Sequence, residues 1–578
     1  MINQVLTCIL MACCYVTGMG QNWQTTGGSS QRNGRSESYG PESVGTPYWS
    51  VTNASATMWG GAIFTSGDLF ATSRVKFSPT YHVTVECRKI SDGSLAWDKE
   101  FPNDGKLYVV GMTEDAVYVH NYATDSLFAF ERESGEFKWV CPDKSMIFGG
   151  AHGILFACNG DPVVNGPDLY QKSMMRLDKY SGNPIWYNTN LTSVGPAPDY
   201  CIFGDRLYRW DGAIGAPTHL VAVDLETGEN LFYSDMLGGD PDQEHPLTAG
   251  PDGIIYGQRD GGDLWAFTDD GNSFSVKWFY SPENGGMGTY GNIGIGQDWS
   301  VYYPDGNVVK RLDPANGQVM NVSEPLSTNP MFGTYITTDA DGTVFISNAE
   351  AGEGKYFAFS ADLQTKFWEK EISYDYYAGP QISWDGIFIL AGSGTTLQAY
   401  KTALPHRPVS WFEADNTFIS ENSIVNFTDM SSFEPVSWHW FFEGGGPSES
   451  SLQNPDPVYY EYPGIYSVTL ITTNSMGTDT LTRECYIQVD AIPGVNSTVT
   501  LTGIKIFPNP CDGTFHITLH AGPKEPVDCH IFNIYGREAY QCQLSQIENV
   551  IRTSLPKGIF TVRIQLEDQT LTSKLIVR

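Results

Sequence analysis

The feature that most constrains the fold is a repeat of about 45 residues that runs through residues 46–403. Each copy reads as a strand, a tight turn, a second strand, and then a glycine turn before a strand with an aromatic residue. The clearest copies are residues 127–139, with Gly135 and Trp139, and residues 220–232, with Gly228 and Phe232. One such unit cannot bury its own apolar face, so this period predicts an all-β propeller.

The number of blades depends on how the two ends of the repeat are satisfied. The last copy ends at Tyr400 without a closing Trp strand, while Trp49 lies about one period before Trp97. An open sheet edge has to be paired or covered. We therefore expect the N-terminal strand to complete the last blade of an eight-bladed propeller, with seven blades as the alternative.

The repeat also carries a family resemblance. The phrase Ala222-Val223-Asp224 with Thr227-Gly228 resembles the repeat of pyrroloquinoline-quinone-type propellers. The resemblance implies either a quinoprotein dehydrogenase or one of the cofactor-free scaffolds that share the repeat. Quinoprotein enzymes place an adjacent cysteine pair over the cofactor, and Cys13-Cys14 lies in the predicted leader. We predict no cofactor, while isolated acids (Asp260, Asp263, Asp341) leave calcium open.

The expected recognition face is the one where each outer strand leads into the next inner strand, because these connections converge at the channel mouth. Several connections are long and carry acidic, histidine and tyrosine side chains suited to stacking and hydrogen bonding with sugars or a peptide. The predicted ligand-binding residues are Asp242, Glu244, His245, Tyr290, Tyr374, Tyr376 and Tyr377.

No catalytic residue is predicted. The sequence contains no Gly-x-Ser-x-Gly elbow, no His-Glu-x-x-His and no Walker-type loop. Carboxylates from distant blades could still meet in space, as in a glycosidase or lyase. An enzyme therefore remains an alternative at this stage.

The period stops near Pro405, and residues 407–490 read as the short alternating strands of a β-sandwich. Alternation places Trp438 and Trp440 on one face, taken as the core, and His439 on the other. Residues 436–442, 462–470 and 474–477 resemble the PKD family. The resemblance implies an extracellular spacer or adhesion module.

Residues 491–502 read as a polar linker, and residues 503–578 resemble the small β-sandwich sorting domain at the C-terminus of proteins exported by the Bacteroidetes type IX secretion system. The motif residues are Pro508, Asn509, Pro510, Gly513, Tyr535, Gly536, Leu555, Pro556, Gly558 and Lys574. The resemblance implies recognition by the secretion machinery, removal near the linker and attachment to surface glycolipid.

Residues 1–20 are uncharged and apolar and end on small residues, which predicts a signal peptide cleaved after Gly20, with a lipoprotein leader at Cys13 as the alternative. Residues 21–45 form a polar segment with no assigned role. No other apolar run approaches about 20 residues, so no transmembrane segment is predicted.

The net charge of −32, from 34 basic and 66 acidic residues, repels phosphate backbones and argues against a nucleic-acid partner. The leading prediction is a non-catalytic secreted or surface-anchored binding protein. Its propeller recognises an extracellular glycan or protein, with the PKD-like region as a spacer. The alternatives are a carbohydrate-active or divergent quinoprotein-type enzyme and a structural coat protein.

Overall fold

The computed structural model falls into two units, Met1–Ala491 and Ile492–Arg578. The residues that the structure describes are 24–53, 57–59, 62–76, 82–102, 107–121, 124, 126–141, 153–166, 173–192, 200–212, 217–237, 246–259, 262–286, 291–331, 333–348, 354–371, 379–390, 395–403, 405–490, 505–507, 511, 513–518, 526–533, 538–546, 548–565 and 570–577. The predicted signal peptide and linker lie outside these ranges. Within them, every regular element is a β-strand.

Eight antiparallel sheets lie between Trp49 and Lys401 in the described part of the chain. The N-terminal strand is β1 (Trp49–Thr52). The first sheet contains β2 (Thr57–Trp59), β3 (Phe64–Ser66), β4 (Leu69–Lys76), β5 (His82–Lys89) and β6 (Leu95–Pro102). The next three contain β7 (Leu107–Met112), β8 (Ala116–Asn121), β9 (Ser126–Glu131) and β10 (Phe137–Cys141); β11 (Leu155–Phe156), β12 (Pro162–Asn165), β13 (Met174–Leu177) and β14 (Pro184–Asn188); and β15 (Tyr200–Phe203), β16 (Arg206–Asp211), β17 (His219–Asp224) and β18 (Asn230–Tyr233).

The remaining four sheets continue the same pattern. They contain β19 (Thr248–Ala249), β20 (Ile255–Gln258), β21 (Leu264–Asp269) and β22 (Phe274–Tyr280); β23 (Gly294–Ile295), β24 (Val301–Asp305), β25 (Val308–Leu312) and β26 (Val319–Val322); β27 (Ile336–Thr338), β28 (Val344–Asn348), β29 (Lys355–Phe359) and β30 (Lys366–Glu371); and β31 (Gln381–Ile382), β32 (Ile387–Leu390) and β33 (Thr396–Lys401). Strand β1 pairs with β33, as expected, with Trp49 opposite Ala399. The all-β prediction is confirmed, and the sheets are consistent with a β-propeller.

The tryptophan and glycine of the repeat are explained by contacts between successive sheets. The indole N–H of Trp139 on β10 donates to the carbonyl of Lys179 in the next sheet at 2.8 Å. A Cβ on Gly182 would lie 2.4 Å from that indole, so only glycine leaves room for the ring. Trp49 makes the same contact with Gly93 of the first sheet and donates to Ile90 at 2.7 Å, which joins the last sheet to the first.

The polar segment before β1 is buried against the sheets. Residues 24–41, here called the N-terminal strap, follow the free edges of the innermost strands from sheet to sheet. The backbone N–H groups of the sheets donate to strap carbonyls: Met112 to Gln24 at 3.1 Å, Ile202 to Ser30 at 2.8 Å, Ala249 to Gln31 at 2.8 Å, Ile295 to Asn33 at 2.9 Å, Thr338 to Gly34 at 2.8 Å and Ala340 to Ser38 at 2.9 Å. The strap thus covers edges that would otherwise be unpaired.

Arg32 is the centre of the strap. Its side chain is fully buried and donates to the carbonyls of Tyr200 and Gly153, both at 3.0 Å. Two innermost regions of the sheets are thereby tied to one guanidinium. Its backbone φ of 56° is unusual for a residue with a side chain.

Residues 405–490 form three further sheets around one core. Their strands are β34 (Phe412–Ala414), β35 (Phe418–Ser420), β36 (Ser423–Val425), β37 (Phe427–Asp429), β38 (Ser437–Phe442), β39 (Gly445–Gly446), β40 (Glu449–Ser450), β41 (Val458–Tyr460), β42 (Gly464–Asn474) and β43 (Gly477–Asp490). Trp440 is fully buried in this core and Trp438 packs against it, while His439 is exposed. The predicted alternation on β38 is confirmed.

The second unit has its own core. Its strands are β44 (Lys505–Phe507), β45 (Thr514–Thr518), β46 (Val527–Asn533), β47 (Glu538–Leu544), β48 (Glu548–Arg552), β49 (Gly558–Gln565) and β50 (Thr570–Val577). They form a three-stranded sheet, β44-β45-β48, and a four-stranded sheet, β47-β46-β49-β50. Both sheets contribute apolar side chains to one buried cluster.

Candidate functional site

The sheets between Trp49 and Lys401 have two distinct ends. At one end, here called the turn end, a turn connects the innermost strand of each sheet to the second strand. At the other end, here called the loop end, a connection joins the outermost strand of each sheet to the innermost strand of the next sheet. All seven predicted ligand residues fall, in sequence, in loop-end connections: Asp242, Glu244 and His245 between β18 and β19, Tyr290 between β22 and β23, and Tyr374, Tyr376 and Tyr377 between β30 and β31. They lie outside the described residues, so their role stays a prediction.

The chain just before the connection between β18 and β19 is held in place by hydrogen bonds. The backbone of Leu237 exchanges hydrogen bonds with Thr218, at 2.8 and 3.2 Å. The guanidinium of Arg259, which is almost fully buried, bonds to the Thr218 hydroxyl and donates to the Leu237 carbonyl at 3.4 Å. It also lies over Trp210 at 5.1 Å. This network precedes the segment that contains Asp242, Glu244 and His245.

The connection after β22 is organised by one buried carboxylate. Asp305 accepts hydrogen bonds from the backbone N–H groups of Glu283, Asn284 and Gly286, at 3.1, 2.9 and 3.1 Å. The Lys310 ammonium lies 2.8 Å away. Burial opposes ionisation of Asp305, but these donors outweigh it and hold the pKa of the carboxyl below its ordinary value. The chain is thus fixed just before the segment that contains Tyr290.

The connection between β30 and β31 is held at its C-terminal end, just before β31. The Tyr356 hydroxyl donates to the carbonyl of Gly379 at 3.2 Å. Gly379 has a φ of 55°, and a Cβ there would lie 2.6 Å from the Cβ of Tyr335. The three connections with predicted ligand residues therefore have anchored flanks, an arrangement suited to loops that bind on a rigid scaffold.

The turn end is occupied by residues 405–490. Arg132 and Glu413 form an ion pair at 3.3 Å, and the rings of Tyr180 and Phe418 lie 5.3 Å apart. The indoles of Trp384 and Trp411 stack at 6.2 Å. In each pair the first residue belongs to a turn of a sheet and the second to the 405–490 region. The named contacts all lie at the end opposite the loop end.

A covalent bond reinforces this docking. Cys158, in the turn between β11 and β12, is disulfide-bonded to Cys485 of β43. Beside it, the strap, the turns and β43 surround a cavity of about 170 Å³. Two ion pairs line the cavity, with Lys179 bonded to Asp115 at 2.6 Å and Arg483 bonded to Glu114. The sequence allowed cysteine pairing but could not identify these partners.

No group of His, Cys, Asp and Glu side chains within the described ranges is arranged to hold a metal ion. Asp341, one of the acids that left calcium open, instead meets the His406 imidazole at 3.3 Å. The neighbouring carboxylate of Asp339 accepts from the backbone N–H groups of Gly40 and Thr343, at 3.0 and 2.7 Å, as a turn residue does. Asp260 lies outside the described residues.

The predicted sorting residues divide between described and undescribed parts of the second unit. Pro508, Asn509, Pro510, Tyr535 and Gly536 lie outside the described residues. Leu555 packs against the core, Pro556 precedes β49, Gly558 begins it, and Lys574 pairs through its backbone with Thr561. Gly513 has a φ of 99° and accepts a hydrogen bond from the Thr553 N–H at 2.8 Å.

Comparison with known proteins identifies the tail. Residues 505–578 match the family model of the secretion system C-terminal sorting domain. No curated protein sequence matches the chain. Among solved structures, the chain is similar to BamB from Moraxella catarrhalis, with 15% identity over 55% of this chain and 98% of that one and a TM-score of 0.34. It is also similar to a quinohemoprotein alcohol dehydrogenase from Pseudomonas putida (13%, 66% and 80%, TM-score 0.35) and to Sqt1 from Saccharomyces cerevisiae (11%, 62% and 99%, TM-score 0.41).

The family match establishes the destination of the protein. A type IX sorting domain directs a chain through the secretion machinery to the extracellular space or the cell surface, so this protein is exported. No helix among the described residues is long and apolar enough to cross a membrane.

Proposed function

We propose that this protein is a non-catalytic, surface-displayed binding protein. Its eight-bladed propeller recognises an extracellular glycan or protein through the loop end. Residues 407–490, a PKD-like module, serve as the base that carries it. The sorting domain is removed after export, and the mature protein is attached to surface glycolipid.

The observation that carries this proposal is the asymmetry between the two ends of the sheets. The strap is bound at the turn end through backbone hydrogen bonds. Residues 405–490 dock at the same end through the disulfide and through ion pairs such as Arg132–Glu413. The connections that contain the predicted ligand residues begin and end at the opposite end. A module that holds one end supports presentation of the other to a ligand.

The base holds a fixed orientation relative to the propeller and does not act as a flexible spacer. Its contacts include a stacked tryptophan pair, an ion pair and a bond between Cys158 and Cys485. Large apolar and covalent contacts between domains limit relative motion. A fixed base preserves the orientation of the loop end on a cell surface.

The test uses the exported chain without its leader, with strap and base in place, on arrays of glycans and surface proteins. We expect ligand to be retained without a chemical product. The double variant Tyr376→Ala, Tyr377→Ala and the variant His245→Ala should weaken retention at least tenfold. Tyr462→Ala is the matched control, because this tyrosine is 64% exposed on the base.

Three outcomes would count against the proposal. Equal retention by the Tyr376, Tyr377 variant would remove the loop end as the binding face. Release of a product would place the protein among enzymes. A folded protein that retains nothing would favour a structural coat component.

A further inference from the structure

The second unit contains two cysteines that face each other across neighbouring strands. Cys529 on β46 lies directly opposite Cys542 on β47 in the antiparallel register. Directly opposed residues in antiparallel strands have Cα atoms about 4.5 to 5.5 Å apart. That spacing falls within the range of about 4.4 to 6.8 Å that a disulfide requires. The register of the two strands is therefore compatible with the Cα spacing of a disulfide.

The two side chains are in contact but differ in exposure. Cys529 is fully buried in the core of the unit, and Cys542 is half-buried at its edge. Their thiols share a hydrogen bond, which holds the pKa of Cys542 below its ordinary value. The same hydrogen bond, together with burial, raises the pKa of Cys529. Cys542 is thus the better nucleophile and the more accessible sulfur.

We propose that Cys529 and Cys542 form a disulfide during export, a modification site in the sorting domain itself. The oxidant is a disulfide-bearing molecule, either a small disulfide or the active-site disulfide of a thiol oxidoreductase. The Cys542 thiolate attacks one sulfur of that disulfide and expels the other as a thiolate. Cys529 then loses its proton, attacks the sulfur of Cys542 and releases the second thiolate. Two cysteine thiols are oxidised, and the oxidant disulfide is reduced to two thiols.

The position of the bond gives it a role in sorting. Residues 534–537 connect β46 to β47 and include Tyr535 and Gly536 of the sorting motif. A bond between Cys529 and Cys542 closes this hairpin covalently. It restricts the unfolded chain and keeps the two strands paired while the tail is recognised. The inference depends on the export of the chain and not on any ligand of the loop end.

The test is a peptide map of the full chain, purified from an oxidising periplasm before the tail is removed. The protein is incubated with oxidised glutathione, denatured, alkylated without reduction and digested. We expect a linked peptide pair that contains Cys529 and Cys542, with each sulfur protected from alkylation. Cys511 is buried in the same unit and should be alkylated completely, as should Cys87 and Cys201.

The Cys158–Cys485 pair is the positive control, because it should appear linked in the same map. Cys529 and Cys542 that remain fully alkylatable after this incubation would overturn the proposal. A glutathione adduct trapped on Cys542, without a link to Cys529, would also overturn it, because the second step would not occur. Cys529→Ser should trap that adduct on Cys542, which checks the order of attack independently.

Discussion

The guanidinium of Arg483 lies over the indole of Trp411, with 4.1 Å between the guanidinium carbon and the ring centroid. Phe412 and Tyr486 face the same group at 4.8 and 4.7 Å. The charge held in this aromatic enclosure is paired with Glu114, in the turn between β7 and β8. Arg483 thus adds a further contact between the 405–490 region and the turn end.

We predict that Arg483→Ala destabilises the first unit by about 2 kcal/mol. The substitution removes the cation–π contacts and leaves the Glu114 carboxylate, 24% exposed, without its partner. Arg483→Lys should lose part of this, because an ammonium lacks the planar face that stacks on the rings. The measurement is denaturant unfolding of the exported chain. Equal stability of the alanine variant and wild type would contradict the docking described here.

Reduction of the Cys158–Cys485 bond should lower the free energy of unfolding of the first unit by about 4 kcal/mol. The bond joins residues 327 positions apart, so it removes much conformational freedom from the unfolded chain. Thermal unfolding with and without reductant measures the loss. Cys485→Ser is the control, because the unfolding temperature of its first unit should not change with reductant. A reductant effect of the same size in this variant would assign the stabilisation elsewhere.

The sheet packing was predictable because the repeat records it in side chains. Trp139 fits its neighbour only where Gly182 leaves space, and this pairing recurs along the chain. The strap was not predictable, because the carbonyls with which it accepts hydrogen bonds from the sheets belong to the backbone, which every sequence has. Residues 21–45 looked like an unassigned polar segment for that reason. The burial of Arg32 has no counterpart in the sequence pattern.

The docking at the turn end was also beyond the sequence. The predicted mature chain has eight cysteines, which allow 105 complete pairings, so Cys158 and Cys485 could not be matched. Alternation on β43 shows which residues face the core but not that Arg483 meets a turn of another sheet. The ligand-binding residues predicted at the loop end stay predictions. The structure shows only that the chain next to each of these connections is held by hydrogen bonds.

Arg32→Ala should destabilise the first unit by about 3 kcal/mol, since the change leaves the Tyr200 and Gly153 carbonyls buried without their charged donor. Arg35→Ala is the matched control on the same strap. Arg35 is partly exposed and pairs with Glu37 at 3.1 Å, so its loss should cost about 0.5 kcal/mol. Chemical unfolding of both variants checks the difference. Similar losses would show that Arg32 does not fix the strap.

His406, in the 405–490 region, contacts the strap and the turn end. Its imidazole stacks on Tyr39 at 4.0 Å, and its nitrogens face Glu42 at 3.4 Å and Asp341 at 3.3 Å. Phe433 of the same region packs against the imidazole ring. Burial opposes the charged form, but the two carboxylates outweigh it and raise the pKa of His406 above its ordinary value of 6.5.

This shift predicts a pH dependence of stability. The folded protein holds the His406 proton more tightly than the unfolded chain, so the stabilisation is complete below about pH 6.5 and is lost as pH rises through the folded pKa. His406→Gln should lose this component and show a flatter profile. Unfolding midpoints between about pH 6 and about pH 9 measure it. Parallel profiles for the variant and wild type would contradict the assignment.

The backbone conformation at Gly513 of the sorting domain requires a residue without a side chain. Its φ is 99°, and a Cβ would lie 2.8 Å from the carbonyl oxygen of Thr553. Gly513→Ala should therefore destabilise the second unit by about 2 kcal/mol, because both the backbone conformation and the contact are unfavourable for alanine.

An unstable sorting domain is a poor substrate for the secretion machinery, so the Gly513→Ala variant should accumulate in the periplasm, as should a chain that lacks residues 504–578. Thr553→Ala keeps the backbone hydrogen bond to Gly513 and should leave export unchanged. Surface labelling of cells that express each variant measures export, and full display of Gly513→Ala would show that secretion tolerates a strained turn here.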